Sequence, residues 1–222
     1  MPTVLITGAN RGIGLEFARR YAAAGWEVVG TARDLDGADE LREVAKVEPL
    51  DVSDLGRVTS FGDVLEGRPL DLLIANAGTY GPRRIVTAAD GEGWLDTLNV
   101  MAVSPVLLAE TLLPNLQAAK GKAVAITSRM GSIDDNDSGG FIAYRSAKAA
   151  LNAAWTSLSI DHARSGVAFA LLHPGWVQTR MGGAQAPLSV EDSVAGMMRV
   201  IEGLEPAARA PFLDYQGKTV PW

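Results

Sequence analysis

The 222-residue chain contains no cysteine, so disulfide frameworks, thiolate nucleophiles and Cys-based zinc or iron–sulfur centres are excluded. Histidine is almost as scarce: His162 and His173 are the only two, too few for a His-rich metal site, and no metal is expected. Positive charge is in deficit, with 20 Lys and Arg against 26 Asp and Glu and a net charge of −6. That balance argues against a broad nucleic-acid or anionic-membrane surface, but leaves room for a few basic side chains at one phosphate site. No apolar run approaches the ~18 residues of a membrane span. The start, Met1-Pro2-Thr3, lacks the basic and long apolar regions of a signal peptide. A soluble cytoplasmic protein is therefore expected. What the chain does have is apolar residues, 47% of the total, enough for a sizeable core.

Those residues fall into short β-rich runs separated by longer segments of helical period. The strands are expected at Thr3–Thr7, Glu27–Thr31, Lys46–Leu50, Leu70–Ala75, Ala123–Thr127 and Val167–Leu172, with a weaker one near Ala210–Leu213. Several are continuously apolar, as strands buried on both faces must be. Helices are expected over Gly14–Ala24, Asp54–Glu66, Gly93–Ala119, Ala143–Arg164 and Val190–Gly203, the third broken at Pro105 and Pro114. With no repeat, linker or shift in composition, residues 1–222 read as one α/β domain: a doubly wound parallel sheet of about seven strands, helices on both faces. Ligands of such sheets bind outside the carboxyl ends of the strands, so the loops there should carry the chemistry.

The first strand runs into Thr7-Gly8-Ala9-Asn10-Arg11-Gly12-Ile13-Gly14 and then a helix. Gly8 suits a sharp turn, Gly12 lets backbone approach a pyrophosphate, and Gly14 lets the helix pack tightly on the sheet. The helix N-terminus would offer unpaired N–H groups and a positive dipole end to phosphates. The spacing Gly-x-x-x-Gly-x-Gly differs from the GxGxxG fingerprint and resembles that of the classical short-chain dehydrogenase/reductase family, a Rossmann-like fold. The resemblance assigns Gly8, Asn10, Arg11, Gly12, Ile13 and Gly14 to a nicotinamide cofactor, with Asn76-Ala77-Gly78 as a second element and Asp51-Val52 beside the adenine. A plain turn role suits Asp51 equally well. After the second strand Ala32 stands where the family's NAD-selective acid would be, and Arg33 follows. Arg11 and Arg33 together suit a 2′-phosphate, unless Asp34 merely pairs with Arg33. NADP(H) is therefore preferred over NAD(H).

The stretch Tyr144-Arg145-Ser146-Ala147-Lys148 places a phenol and an ammonium four residues apart, on one face of a helix. Tyrosine titrates near ~10, and a neighbouring ammonium should favour the phenolate and lower that value. Alone the pattern is common; here it opens the helix after Ala123–Thr127, where the family keeps its active-site pair. Ala147 departs from the family, which commonly has Ser there. The resemblance adds Ser128 as the hydroxyl that would bond a substrate carbonyl. Ser132 competes for that role: the family's usual spacing to the tyrosine favours Ser132, the strand-end context Ser128. Ser128 is the assignment, with an insertion at Asp134–Gly140 accounting for the spacing. Asn99 resembles the asparagine that holds a water in the proton relay to the lysine. In His173-Pro174-Gly175-Trp176-Val177-Gln178-Thr179, the resemblance gives Pro174, Gly175, Val177 and Thr179 to the nicotinamide, and Tyr144 and Lys148 also touch the cofactor. His173 reads as structural, while Trp176 and Met181 suit either a substrate pocket or loop anchoring.

The implied reaction is hydride transfer between nicotinamide and a small carbonyl or alcohol substrate, with Tyr144 as general acid/base. Met130-Gly131-Ser132-Ile133, Ala149-Ala150-Leu151-Asn152, Gly182-Gly183 and the stretch Asp214–Trp222 are similar to C-factor-like and sniffer-type carbonyl reductases. A homodimer or homotetramer is expected. The C-factor resemblance also admits a cofactor-binding signalling protein with little turnover. A sugar-nucleotide epimerase of the extended relatives is disfavoured, since about 50 residues follow the sixth strand. Asp134–Gly139 superficially resembles the start of an EF-hand loop, but Arg145 stands where a bidentate Glu is required, so an acidic surface turn is expected.

Overall fold

A computed structural model describes residues 1–65 and 67–222. Seven strands form one parallel sheet: β1 (Thr3–Ile6), β2 (Glu27–Ala32), β3 (Lys46–Pro49), β4 (Leu72–Ala75), β5 (Lys122–Ile126), β6 (Ala168–His173) and β7 (Phe212–Asp214). Their order is β3-β2-β1-β4-β5-β6-β7, so the chain reverses direction across the sheet at β1. β1 pairs with β2 on one side and β4 on the other, which puts the topological switch, and hence the binding crevice, at the β1 and β4 ends.

Alternation along each strand feeds two apolar layers. Val4, Ile6, Leu72, Ile74, Val124 and Leu172 point to α1 (Gly12–Ala23) and α8 (Val190–Glu202), where Phe17, Tyr21, Val194 and Met197 receive them. Leu5, Leu73, Ala123, Ala125 and Leu171 face the other layer, around Leu108, Leu112, Leu151 and Trp155. That second layer holds α3 (Leu55–Ser60), α5 (Ser104–Thr111), α6 (Leu113–Ala119) and the long α7 (Ile142–Asp161).

The expected helices are present, with altered bounds. One turn, α2 (Asp39–Arg42), was not anticipated. The expected helix Asp54–Glu66 is α3 followed by a 3₁₀ turn at Phe61–Leu65; Glu66 lies outside the described residues. The third helix begins earlier than Gly93, as α4 (Ala88–Leu98), because Thr87 and Asp90 form a reciprocal capping box. Pro105 does not break it. A π segment at Asn99–Val103 widens the turn ahead of it, and Pro105 then sits in the first turn of α5. There its missing N–H and bulky ring are tolerated. The break falls at Leu112, with Pro114 again in a first turn, that of α6. Among the described residues, no single helix is long and apolar enough to cross a membrane.

Candidate active site

The turn off β1 requires glycine. Gly8 has φ +62° and Gly12 φ +54°, both in the left-handed region. Gly14 is needed for room: a Cβ there would lie 2.5 Å from the Gly8 carbonyl oxygen and 2.7 Å from the Asn76 amide nitrogen. The loop is strapped to the end of β4. The backbone N–H groups of Asn76 and Ala77 both donate to Thr7 Oγ1 at 3.0 Å. Asn76 Nδ2 donates back to the carbonyls of Thr7 (3.0 Å) and Gly8 (3.1 Å). Asn76 therefore holds the glycine loop in shape. Gly78, after Ala77, lies against Met101.

α1 opens at Gly12 with Arg11 extended before it; no side chain caps this terminus, and its first turn carries no acid. Ile13 in that turn is half-buried, and Asn10 donates from Nδ2 to the Gly37 carbonyl at 3.3 Å. Arg33, just past β2, is exposed. Asp34 does not pair with it: Asp34 Oδ1 accepts the Asp36 N–H at 3.0 Å, and neither Arg11 nor Arg33 has an ion-pair partner among the described residues. Burial, Arg180 and Arg33, in that order, hold the Arg11 pKa below its ordinary value, so the three guanidinium groups share one region. Asp51 forms a tight turn, with Oδ1 accepting from Ser53 N (2.9 Å) and Oγ (2.7 Å). Burial raises its pKa, but the Ser53 bonds and the charges of Arg33 and Arg57 hold it below the usual value. Val52 beside it is half-buried against the core.

The second half of the site lies at the end of β5. Thr127 and Ser128 follow the strand, and a 3₁₀ turn, Arg129–Gly131, lies against α7. Gly131 permits that contact, since a Cβ on it would fall 2.7 Å from Lys148 Cβ. Ser128 Oγ accepts the Met130 N–H at 3.1 Å, and its side chain stands close enough to Tyr144 to draw the phenol pKa down. Ser132 is turned away. It donates to the Trp222 carbonyl at 3.1 Å and accepts the Asp135 N–H at 3.0 Å, so the hydroxyl at the tyrosine is that of Ser128. The insertion at Asp134–Gly140 folds as a surface turn, held by Arg145 bonds to Gly139 O (3.1 Å) and Ser138 Oγ (2.8 Å).

Tyr144 and Lys148 are both buried, and Lys148 Nζ donates to the Ile126 carbonyl at 2.8 Å. The ammonium nitrogen lies 6.0 Å from the Tyr144 ring centroid. The expected lowering of the tyrosine pKa is not what this arrangement produces. Burial pushes the phenol up to about 12, Ser128 offsets part of that, and Tyr80 adds to it. Burial also brings Lys148 down to about 8. Two groups removed from water together each favour the neutral form, and the ammonium is turned toward Ile126.

Asn99 starts the π segment facing α7; its Nδ2 donates to the Ser53 carbonyl at 2.8 Å, and its Oδ1 is buried with no partner among the described residues. At the end of β6, Gly175 has φ +87°, and the Pro174 carbonyl accepts from Ser193 Oγ at 2.6 Å. Val177 is buried and bridges to Leu188, and Thr179 reaches the glycine loop, its Cγ2 being 3.4 Å from where a Cβ on Gly12 would stand. Trp176 is exposed with its Nε1 donating to the Gly182 carbonyl at 2.8 Å, the geometry of a loop anchor. Burial first, then Arg129, pushes the His173 imidazole down to about 4, so it is neutral and structural.

Two residues were not expected from the sequence, Tyr80 and Arg180. The Tyr80 ring lies tilted, 5.0 Å from the Tyr144 ring and 5.8 Å from that of Phe141, and Arg180 has the placement given above. Tyr80 lies two residues after Gly78, which was the available signal; nothing local marks Arg180. The glycine cradle, the uncapped α1 terminus and the unpaired arginines fit a phosphate-bearing dinucleotide. Ser128 and Tyr144 beyond it bring two hydroxyls close together at the end of β5.

Residues 2–187 match the family described as short chain dehydrogenase. The C-signal of Myxococcus xanthus is 46% identical over 155 residues, which cover 69% of this chain and 93% of that protein. The carbonyl reductase Sniffer of D. melanogaster superposes with a TM-score of 0.91 at 31% identity over the whole of both chains. An NADPH-bound carbonyl reductase from chicken fatty liver gives 0.89 at 32% identity, over 100% of this chain and 99% of that one.

Proposed function

Because the chain belongs to the short-chain dehydrogenase family, we propose that it is an NADPH-dependent oxidoreductase acting on a carbonyl/alcohol pair. The observation that carries this reading is the buried Tyr144–Lys148 pair one turn apart on α7, with Ser128 beside it at the end of β5 and Lys148 Nζ held at the Ile126 carbonyl. When bound, the nicotinamide supplies the hydride. Ser128 and Tyr144 hold the substrate oxygen, and Tyr144 donates its proton as charge develops there. A phenol held at about 12 stays protonated at neutral pH and so is ready to act as the acid for reduction. Lys148 would hold the ribose hydroxyls, and a water accepted at the free Asn99 Oδ1 would pass a proton by way of Lys148 to Tyr144. Gly8, Gly12 and Gly14 shape the phosphate loop, Arg11 and Arg33 receive a 2′-phosphate, and Pro174, Gly175, Val177 and Thr179 line the nicotinamide end. A homodimer or homotetramer in the cytoplasm completes the reading.

The test is oxidation of NADPH and of NADH by the purified protein across a panel of aldehydes and ketones. Turnover with NADPH ahead of NADH is expected, and faster turnover with NADH would sink the cofactor assignment. The 46% identity to C-signal supports a second reading, a cofactor-binding signalling protein with little turnover. NADPH binding without turnover on any carbonyl would favour it.

Two further results are expected. Replacing Arg33→Gln should raise the KM for NADPH about tenfold, one charge-assisted hydrogen bond, and leave that for NADH unchanged. Equal effects on both would remove Arg33 from the 2′-phosphate. In the pH profile, the ammonium of Lys148 is lost above about 8, whereas Tyr144 keeps its proton until about 12. Reduction should therefore be level below pH 8 and fall with rising pH, about tenfold per unit at the limit. A profile level to pH 10 would contradict a working role for the lysine charge.

A further inference from the structure

The loop that follows β6 is stiffened by its own bonds. Trp176 Nε1 donates to Gly182 O, Gln178 Nε2 donates to Ala186 O at 2.9 Å, and the Gln178 N–H donates to Leu188 O at 2.8 Å. Gly182 closes the bend: its N–H donates to Thr179 Oγ1 at 3.0 Å, and a Cβ on it would lie 2.0 Å from the Val177 carbonyl oxygen. At this bend Thr179 meets Gly12, the residue that opens α1. Arg180 comes next, exposed and without hydrogen-bond or ion-pair partner among the described residues.

We propose that Arg180 is a third basic arm of the cofactor site, set to clamp the diphosphate from the side of the β6 loop. The inference rests on the nicotinamide dinucleotide reading and adds to it a residue contributed by the far half of the fold. Three arguments support it. The α1 terminus that Thr179 touches is uncapped and free of acid, the place where backbone N–H groups meet a diphosphate. Arg180 weighs on Arg11 more than Arg33 does, so three like charges crowd one region of a chain whose net charge is −6. Such a cluster without a carboxylate partner is stabilised by an anion. Finally, Arg33 follows β2 on the opposite flank of the glycine loop, which separates a 2′-phosphate role for it from a diphosphate role for Arg180.

The separation gives the test. Dissociation constants for NADPH and NADH are measured by cofactor fluorescence, without substrate, on wild type, Arg180→Gln and Arg33→Gln. Arg180→Gln should weaken both cofactors by about tenfold each, with an unchanged melting temperature, because a diphosphate is common to both. Arg33→Gln should weaken NADPH alone. If Arg180→Gln binds both cofactors as wild type does, or loses only NADPH, the diphosphate assignment is overturned while the cofactor reading stands. If wild type binds neither dinucleotide, that reading falls and the inference falls with it.

Discussion

Tyr144→Phe should lower kcat for carbonyl reduction by about 10³-fold, within the range lost when a positioned acid is removed, and leave the dissociation constant of NADPH unchanged. The substitution deletes one hydroxyl and keeps the ring, which packs at 5.0 Å against Tyr80 and with Met101 and Ala147. Ser128 retains the Met130 N–H, so stability should move by no more than about 1 kcal/mol. The pairing of those readouts matters. Collapse of both turnover and stability would mean that the phenol is structural, and unaltered kcat would remove Tyr144 from the chemistry altogether. Ser132→Ala serves as the companion, since Ser132 bonds Trp222 and Asp135: it should leave kcat within twofold, about 0.4 kcal/mol, of wild type.

The second large effect concerns stability, and its sign depends on the site. Alanine normally stabilises a helix interior relative to glycine by about 1 kcal/mol. At Gly91 in α4 a Cβ would meet nothing within 4 Å, so Gly91→Ala should stabilise the protein by up to about that amount. At Gly14 in α1 the same methyl would stand 2.5 Å from the Gly8 carbonyl oxygen, 2.7 Å from Asn76 Nδ2 and 3.0 Å from Ala9 Cα. None of these is the free end of a flexible side chain, and Asn76 is held by two hydrogen bonds of its own. Gly14→Ala should therefore destabilise by about 1–3 kcal/mol, and Gly14→Val by more. Denaturant midpoints on the two alanine variants check the contrast; a shift in the same direction for both would show that α1 can move away from the loop.

Much of this was legible along the chain. Short apolar runs marked all seven strands to within two residues, most clearly the central ones, because strands buried on both faces have no room for polar side chains. Gly8 and Gly12 were readable as turn glycines, and both adopt positive φ. The Thr87–Asp90 capping box is also written in the sequence, and it starts α4 at Ala88, five residues before the expected Gly93. The π segment at Asn99 was out of reach: Pro105 announces a disturbance, but whether the helix breaks or widens depends on how α7 packs against it.

The Tyr144–Lys148 spacing, the glycine loop and the α/β alternation are thus properties of the sequence itself, since each is set by contacts a few residues apart. The tertiary structure decided the rest. Ser128 prevails over Ser132 because the surface turn between Gly131 and Ile142 folds outward and carries Ser132 to Trp222, ninety residues away in the chain. The tyrosine pKa is raised because burial, which no spacing encodes, outweighs the lowering by Ser128, while the ammonium is turned to the Ile126 carbonyl. Arg180 bears on Arg11 only because β1 and β6 end on the same edge of one parallel sheet, which brings together loops far apart in sequence.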